Sequence, residues 1–466
     1  MIPFEPATLP FKPVTLEDAP LLRRYYESCD YELCEYSLGT KLMWQDLFHP
    51  HWAEAAGCLV AFVDYGGEIF YEYPVVGVEG DEDAALLAIE GDSVARNIPF
   101  RLTVVPEAKA ARLLRRYPYV KVSNIRTYRD YLYRTENLQT FAGRHYSGQR
   151  NHIKKFHSLY PDAVFRRLTE ADFPAVELFW TDYEAEFTKG DDPEALKELS
   201  ASKEMLKLLN KPWFLTGGIF DGEKLIALSM AERCGETLMI HSEKALYSYP
   251  GVYPTLVQEF ANAFGEGVRL LNREDDAGDR GLRTSKLQYE PVRVANKYNF
   301  KPQNELQHYV DEIPTLSTPR LTLSALEERD IPQYNALILD KERNKGWGYD
   351  DVGGTFEAAE RDFGNRTAIN FAVRLDGQLI GGAVLFNFDY QGGAELGSHI
   401  AAPFAGHGYG SEAVAAVADW GLYRIHLNRV WARCGKENHT AYQELLASGM
   451  RHAGEDDTFH YFERMA

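Results

Sequence analysis

No apolar run in this 466-residue chain approaches the roughly 18 residues that a membrane-crossing helix needs. Segments such as CLVAFV (58–63) and KLIALSM (224–230) are strand-sized. The beginning, MIPFEPATLPFKPV, has no basic leading segment and no apolar core, so no secretory signal is expected. Cysteine is scarce: Cys29, Cys34, Cys58, Cys234 and Cys434 are scattered, odd in number and contain no CxxC pair. Free thiols in a reducing cytoplasm are the expectation, with neither a disulfide framework nor a metal site. Positive charge is also short. The net charge of −19 disfavours non-specific attachment to nucleic acid or an anionic membrane. The expected protein is cytoplasmic, without stable membrane insertion.

What remains is a composition for folded cores, with 45% hydrophobic, 26% charged and 13% aromatic residues. The chain is too long for one core, and internal repeats divide it. FKPVTLEDAPLL (11–22), VFRRLTEADFPAV (164–176) and LTLSALEERDIPQY (321–334) share a strand-like start, an acidic helix entry and an apolar helical face. Their aspartates Asp18, Asp172 and Asp330 recur about every 155 residues. Strand, glycine turn and strand recur at the same period, with Gly66, Gly222 and Gly377 at the turns. Three α/β (α+β) modules of similar topology are expected: 1–140, 141–307 and 318–466, with a linker at 308–317. The third reads as strand, two helices, hairpin, strand, helix, strand, helix and a terminal strand pair.

Between the fourth strand of the third module and the next helix lies PFAGHGYGSEA (403–413). Gly406, Gly408 and Gly410 let the main chain turn tightly, and the helix adds its positive N-terminal end. That combination is an anion cradle, to which Ser411 adds a hydroxyl. In this strand order, residues 318–466 resemble a GNAT-fold N-acetyltransferase of the branch acting on N-termini of ribosomal proteins. PFAGHGYGSEA and ENHTAYQELLASGM (437–450) carry the resemblance. It implies a mixed, mostly antiparallel sheet flanked by helices, and acetyl-CoA as cofactor. Its pyrophosphate would be held by the N–H groups of Gly406, His407, Gly408, Tyr409 and Gly410. Ile400 would pair with the pantetheine arm, and Asn438 would line the channel. Ala405 and Met450 depart from the family pattern. Amine attack on a thioester needs a proton acceptor and a donor to the leaving thiolate. Glu395 is the candidate base, His399 a weaker one, and Tyr442 the candidate donor.

The second module has no such cradle, because MIHSEKALYSYPGVYPTLVQEF (239–260) carries only Gly251 at that junction. It has instead the basic GRHYSGQRNHIKKFHSLYP (143–161) and the densely charged LNREDDAGDRGLRTSKLQYEPVR (271–293). With FKPVTLED, CDYELCEYSLGTKLMW and HSEKA, these segments resemble the C-terminal domain of phosphatidylglycerol lysyltransferases, here in a stand-alone group. The resemblance implies a tandem GNAT-like fold and aminoacyl transfer from aminoacyl-tRNA. Arg144, His145, Arg150, Asn151 and Lys154 would meet tRNA or substrate. His241, Glu243, Arg273, Glu274, Asp275, Arg283 and Lys286 would line an acceptor site.

The expected function is acyl transfer: acetyl from acetyl-CoA to a primary amine of a small molecule or protein N-terminus in the third module, and aminoacyl transfer in the tandem. Two alternatives stand beside it. The tandem alone is active, on a soluble or lipid acceptor, or it is a non-enzymatic module that binds an amino-acid ligand or tRNA.

Overall fold

The computed structural model describes residues 4, 6–187, 193–302, 312–338 and 368–466. They form three mixed sheets with flanking helices. The first sheet runs Lys12–Pro13, His51–Ala55, Cys58–Tyr65, Glu68–Glu72, Leu102–Pro106, Lys297–Pro302 and Val120–Ser123. The second runs Arg293–Ala295, Asp130–Arg134, Leu270–Asn272, Thr237–Ala245, Lys224–Cys234, Phe214–Asp221 and Val164–Arg167. The third runs Leu316–Ser317, Leu321–Ala325, Ala368–Leu375, Gln378–Phe386, Gly393–Ile400, Arg429–Gly435, Phe459–Met465 and Arg451–Glu455.

The first two sheets exchange strands. Asp130–Arg134 leaves the first module to pair with Leu270–Asn272 and Arg293–Ala295. Lys297–Pro302 returns to lie between Leu102–Pro106 and Val120–Ser123. The expected division at 140 falls at the end of helix Thr135–Thr140, beyond the first crossing. Neither sheet is continuous without a strand from the other side, so the two modules are bound by main-chain hydrogen bonds as well as by packing. Of the expected linker, residues 308–311 lie outside the described residues, and Leu316–Ser317 is an edge strand. The second helix expected in the third module also falls outside them.

The repeated aspartates end the first strand segment of each module in the same way. Asp18 accepts from the N–H and hydroxyl of Thr15, both at 2.9 Å, and from Lys12 at 2.7 Å. Asp172 accepts from the N–H and hydroxyl of Thr169 at 2.8 and 3.0 Å and from Arg166 at 2.5 Å. Asp330 accepts from the N–H of Glu327 at 2.8 Å and from both Nη atoms of Arg374. These carboxylates satisfy the N–H groups left over where a helix begins, which explains the acidic helix entry in each repeat. The glycine turns are as regular. Gly66, Gly222 and Gly377 take φ of 64°, 61° and 82°, the left-handed backbone that tight hairpins require.

The third module docks on the first. Tyr390 packs on Phe100 at 5.1 Å, and its hydroxyl lies 3.4 Å from that of Ser93. Phe4 joins Trp431 and Tyr461 in a buried cluster that also meets Leu87 and Val94.

Candidate functional site

In each module two parallel strands pair briefly and then part, and the content of the gap differs. In the third, Gly393–Ile400 and Arg429–Gly435 pair only at Gly393/Arg429, Ala394/Val430 and Glu395/Trp431. From Leu396 to Ile400 the first strand keeps Gln378–Phe386 on one edge. Its other edge has no strand among the described residues. A strand edge with no described strand beside it can pair with an extended, amide-bearing ligand.

The glycine loop closes the wide end of this gap. Gly406 and Gly408 have φ of 78° and 77°. A Cβ at Gly406 would meet nothing within 4 Å, so that side of the loop is open. Gly408 caps helix Tyr409–Tyr423, whose first N–H groups lack helical acceptors. Arg320 was not singled out from sequence, yet it holds the loop from behind. It donates to the His407 carbonyl at 2.9 Å, lies 4.6 Å over the Tyr409 ring and reaches Glu412 at 2.7 Å. Burial works against the Glu412 charge. Thr318 and Arg320 outweigh burial and hold its carboxyl below the usual range. Ser411 turns its hydroxyl back to the Gly408 carbonyl at 3.3 Å. On the facing helix, His439–Ala447, Glu444 places a carboxylate oxygen 2.6 Å from where a Gly410 Cβ would be. A side chain at 410 would have to displace that carboxylate, and the loop has an acidic neighbour.

Ile400 is buried in the core opposite Gly381. Asn438 caps its own helix, accepting from the Ala441 N–H at 3.0 Å. Glu395, the last paired residue of its strand, is buried between Asn387, which donates at 2.7 Å, and Arg433 at 3.2 Å. The Tyr442 ring packs on His460 and Phe462 at 5.0 and 5.1 Å, against the terminal hairpin.

In the second module the parting strands are Thr237–Ala245 and Leu270–Asn272, paired from Thr237/Leu270 to Met239/Asn272. A bulge follows at once, leaving His241 as the extra residue between Ile240 and Ser242. Gly39 of the first module approaches so closely that a Cβ there would lie 2.3 Å from His241 Nε2. Its Nδ1 is 3.2 Å from Glu274. Glu232 takes the N–H groups of Leu38 and Gly39 at 2.8 and 2.7 Å, so the second module caps a helix of the first. Arg273 makes a double contact with Glu243 at 2.8 and 2.6 Å and lies 4.4 Å over the Tyr289 ring. Its Nη1 has no hydrogen-bond partner among the described residues. Lys286 is buried and donates to the carbonyls of Arg273, at 2.5 Å, and of Asp275. Burial pushes its ammonium down against the pull of Asp275, whose own carboxyl burial pushes up.

His241, Glu243, Arg273, Glu274, Asp275 and Lys286 thus converge. Arg283 lies a layer away, bound to Asp276 at 2.9 and 2.7 Å. Arg144, His145, Arg150, Asn151 and Lys154 stay on an exposed face, at and beyond the start of helix Ser147–Leu159. Arg150 turns back to the carbonyls of Phe141 and Gly143. This basic helix abuts the charged cluster through Tyr146, which donates to the Tyr289 carbonyl at 3.0 Å, and Gln149, which donates to that of Gln288 at 2.7 Å. It also closes the position of the missing cradle: the His152 carbonyl lies 2.3 Å from where a Gly251 Cβ would be.

In the first module Glu68–Glu72 and Leu102–Pro106 pair only at Tyr71/Leu102 and Glu72/Thr103. Tyrosines fill the gap. Tyr31 donates to the Pro74 carbonyl and Tyr36 to that of Val104, both at 3.0 Å. Glu72, like Glu395 the last paired residue of its strand, is buried in an ion pair with Lys41. Both tyrosines stand in CDYELCEYSLGTKLMW.

A parallel strand pair that parts beside a glycine loop and helix N-terminus is the frame of the GNAT acyltransferases, and residues 320–451 match the acetyltransferase (GNAT) domain. The chain carries an acyltransferase domain. It belongs to the family described as phosphatidylglycerol lysyltransferase, C-terminal, which matches residues 27–301. A conserved protein of unknown function from Bacteroides thetaiotaomicron is 27% identical in a solved structure, with TM-score 0.57, covering 63% of this chain and 99% of that one. Mycobacterium smegmatis RimJ, solved in complex with CoA-disulfide, is 18% identical with TM-score 0.29 over 34% of this chain and 88% of that one. An uncharacterized protein of Mycoplasmoides gallisepticum is 24% identical over 174 residues, 37% of this chain. The match spans 56% of that relative's length.

Proposed function

We propose that the third module transfers an acetyl group from acetyl-CoA to a primary amine, on a small molecule or a protein N-terminus. The observation that carries this reading is the open strand edge after Glu395 leading to the left-handed Gly406 and Gly408 at a helix N-terminus. The N–H groups of residues 406–410 would hold the pyrophosphate, the strand edge around Ile400 the pantetheine amides, and Asn438 the channel wall. The cofactor supplies an acyl group activated as a thioester. Glu395 takes the proton of the incoming ammonium, and Tyr442, one turn beyond Asn438, donates to the leaving thiolate. Arg433 and Asn387 orient Glu395 for that step. The test is release of free CoA from acetyl-CoA when the full chain meets a polyamine or a short peptide with a free N-terminus. Loss of turnover in Gly408→Val supports the reading. Equal turnover in that variant, or none in either, refutes it.

The tandem in this reading transfers an aminoacyl group from aminoacyl-tRNA in the cytoplasm. Support comes from the exposed basic helix abutting the Arg273 cluster, because phosphate contacts need accessible cations. Neutralising Arg144, Lys154 and Lys155 together should weaken charged-tRNA binding and flatten its salt dependence. No described helix is long and apolar enough to cross a membrane. A second reading, with the tandem alone active, is favoured by one observation: Glu444 sets a negative charge beside the loop. Acetyl-CoA binding that appears only in Glu444→Gln would select it.

A further inference from the structure

The terminal hairpin of the third module brings together three side chains that have no part in acyl transfer as described. His452 and Glu455 lie on Arg451–Glu455, and His460 on Phe459–Met465. One ligand atom from each lies within 4.8 Å of the others. In a regular strand, positions three apart point to opposite faces. Here the register slips between His452 and Gly454, so that His452 sits opposite Phe462 while Glu455 sits opposite His460. Gly454, at φ 148°, takes up the irregularity. The bulge therefore turns His452 and Glu455 to the face that carries His460, a re-aiming that bulges characteristically produce.

The rings are also held. Tyr442 packs against His460 at 5.0 Å and His452 at 5.9 Å, and the two imidazoles meet edge to face at 5.5 Å. Glu455 divides its oxygens, with Oε2 3.0 Å from His460 Nδ1 and Oε1 3.4 Å from Lys436 Nζ. Two imidazoles and one carboxylate are the ligand set of a divalent first-row cation of borderline softness. Three ligand atoms about 3.3 Å apart would fit tetrahedral bonds of about 2.0 Å. Small side-chain rotations close the observed spacing, because both strands are fixed by their ladder.

We propose that His452, Glu455 and His460 form a binding site for a zinc-class divalent cation, completed by water. Binding replaces any proton on the two imidazoles and releases it to solvent. It also draws Glu455 away from Lys436. The cation clasps the hairpin beneath Tyr442, and so braces the helix that Asn438 opens.

The test is equilibrium dialysis of the full chain against zinc, with cobalt(II) absorption as the second measurement. The expected result is a single zinc ion per chain at micromolar concentration and a visible cobalt spectrum typical of four-coordination. His452→Ala and His460→Ala should each weaken binding by roughly tenfold or more. Glu455→Gln should weaken it less, and His426→Ala and His439→Ala should leave it unchanged. Each variant's circular dichroism must match the parent, so that misfolding is separated from ligand loss. Zinc binding of the parent only above millimolar, or unchanged affinity and cobalt spectrum in the His452→Ala/His460→Ala double variant, would overturn the proposal.

Discussion

The strand pairs that part at Glu72/Thr103 and at Glu395/Trp431 start from the same arrangement and end with opposite contents. In the first, Tyr31 and Tyr36 enter the gap and donate to the carbonyls of Pro74 and Val104. In the other, the edge has no further strand among the described residues and leads to a glycine loop with open space beside Gly406. The second module lies between them, with a bulge at His241 and an Arg273–Glu243 pair in place of either. The fold supplies the opening in all three, but side chains decide whether it is a core, a charged site or a cofactor cleft. Buried main-chain groups must be satisfied by something. A tyrosine hydroxyl does so permanently, and a ligand does so reversibly.

The contrast can be broken first at its charged member. Arg273→Ala leaves the partly buried Glu243 without its partner, so we expect a loss at or below the lower end of the about 3–5 kcal/mol that breaking a buried pair costs, read in denaturant unfolding. The double variant Arg273→Ala/Glu243→Ala should lose less than the single, because no orphaned charge remains. A single-variant loss equal to that of an exposed ion pair would show that this site is wetter than its burial implies.

A smaller effect is expected in the first module. Tyr36→Phe orphans the Val104 carbonyl at a cost of about 1–3 kcal/mol. It should confer no acetyl-CoA binding, because that gap lacks a glycine cradle. Appearance of binding would mean that the tyrosine alone had closed a competent site.

The smallest effects concern what the modules share. Replacing Asp18, Asp172 or Asp330 by Asn should each cost about 1 kcal/mol at neutral pH. Arg166 foremost lowers the carboxyl of Asp172, while Lys12 and Arg374 overcome burial at Asp18 and Asp330. Folded-state values below the unfolded ones mean that the stabilisation is complete above the ordinary carboxylate range. It is lost as pH falls through the lowered values. Each Asn variant should therefore show a shallower loss of stability on acidification, read from melts at stepped pH. A slope unchanged in all three would contradict the pairing.

Much of this architecture was legible because it is local. The aspartates at the helix entries and the glycines of the hairpins announce backbone requirements that do not depend on distant residues. The glycine loop at 406–410 was readable for the same reason. Strand exchange was not, since nothing in KYNFKP (297–302) tells which of two sheets will accept it. Gly39, Glu232 and Arg320 escaped notice because their partners lie far along the chain. His452 and Glu455 were hidden by spacing that assigns them to opposite faces until a bulge intervenes. The charged residues of 271–293 stood out by their density and by the resemblance they carry, and their pairing emerged only with the fold.

In the proposed reading, one opening in three takes acetyl-CoA. Calorimetric titration of the full chain with acetyl-CoA tests it most directly. A single binding event per chain is expected, abolished by Gly408→Val and indifferent to Tyr36→Phe. Two or more cofactors per chain, or binding that survives Gly408→Val, would contradict it.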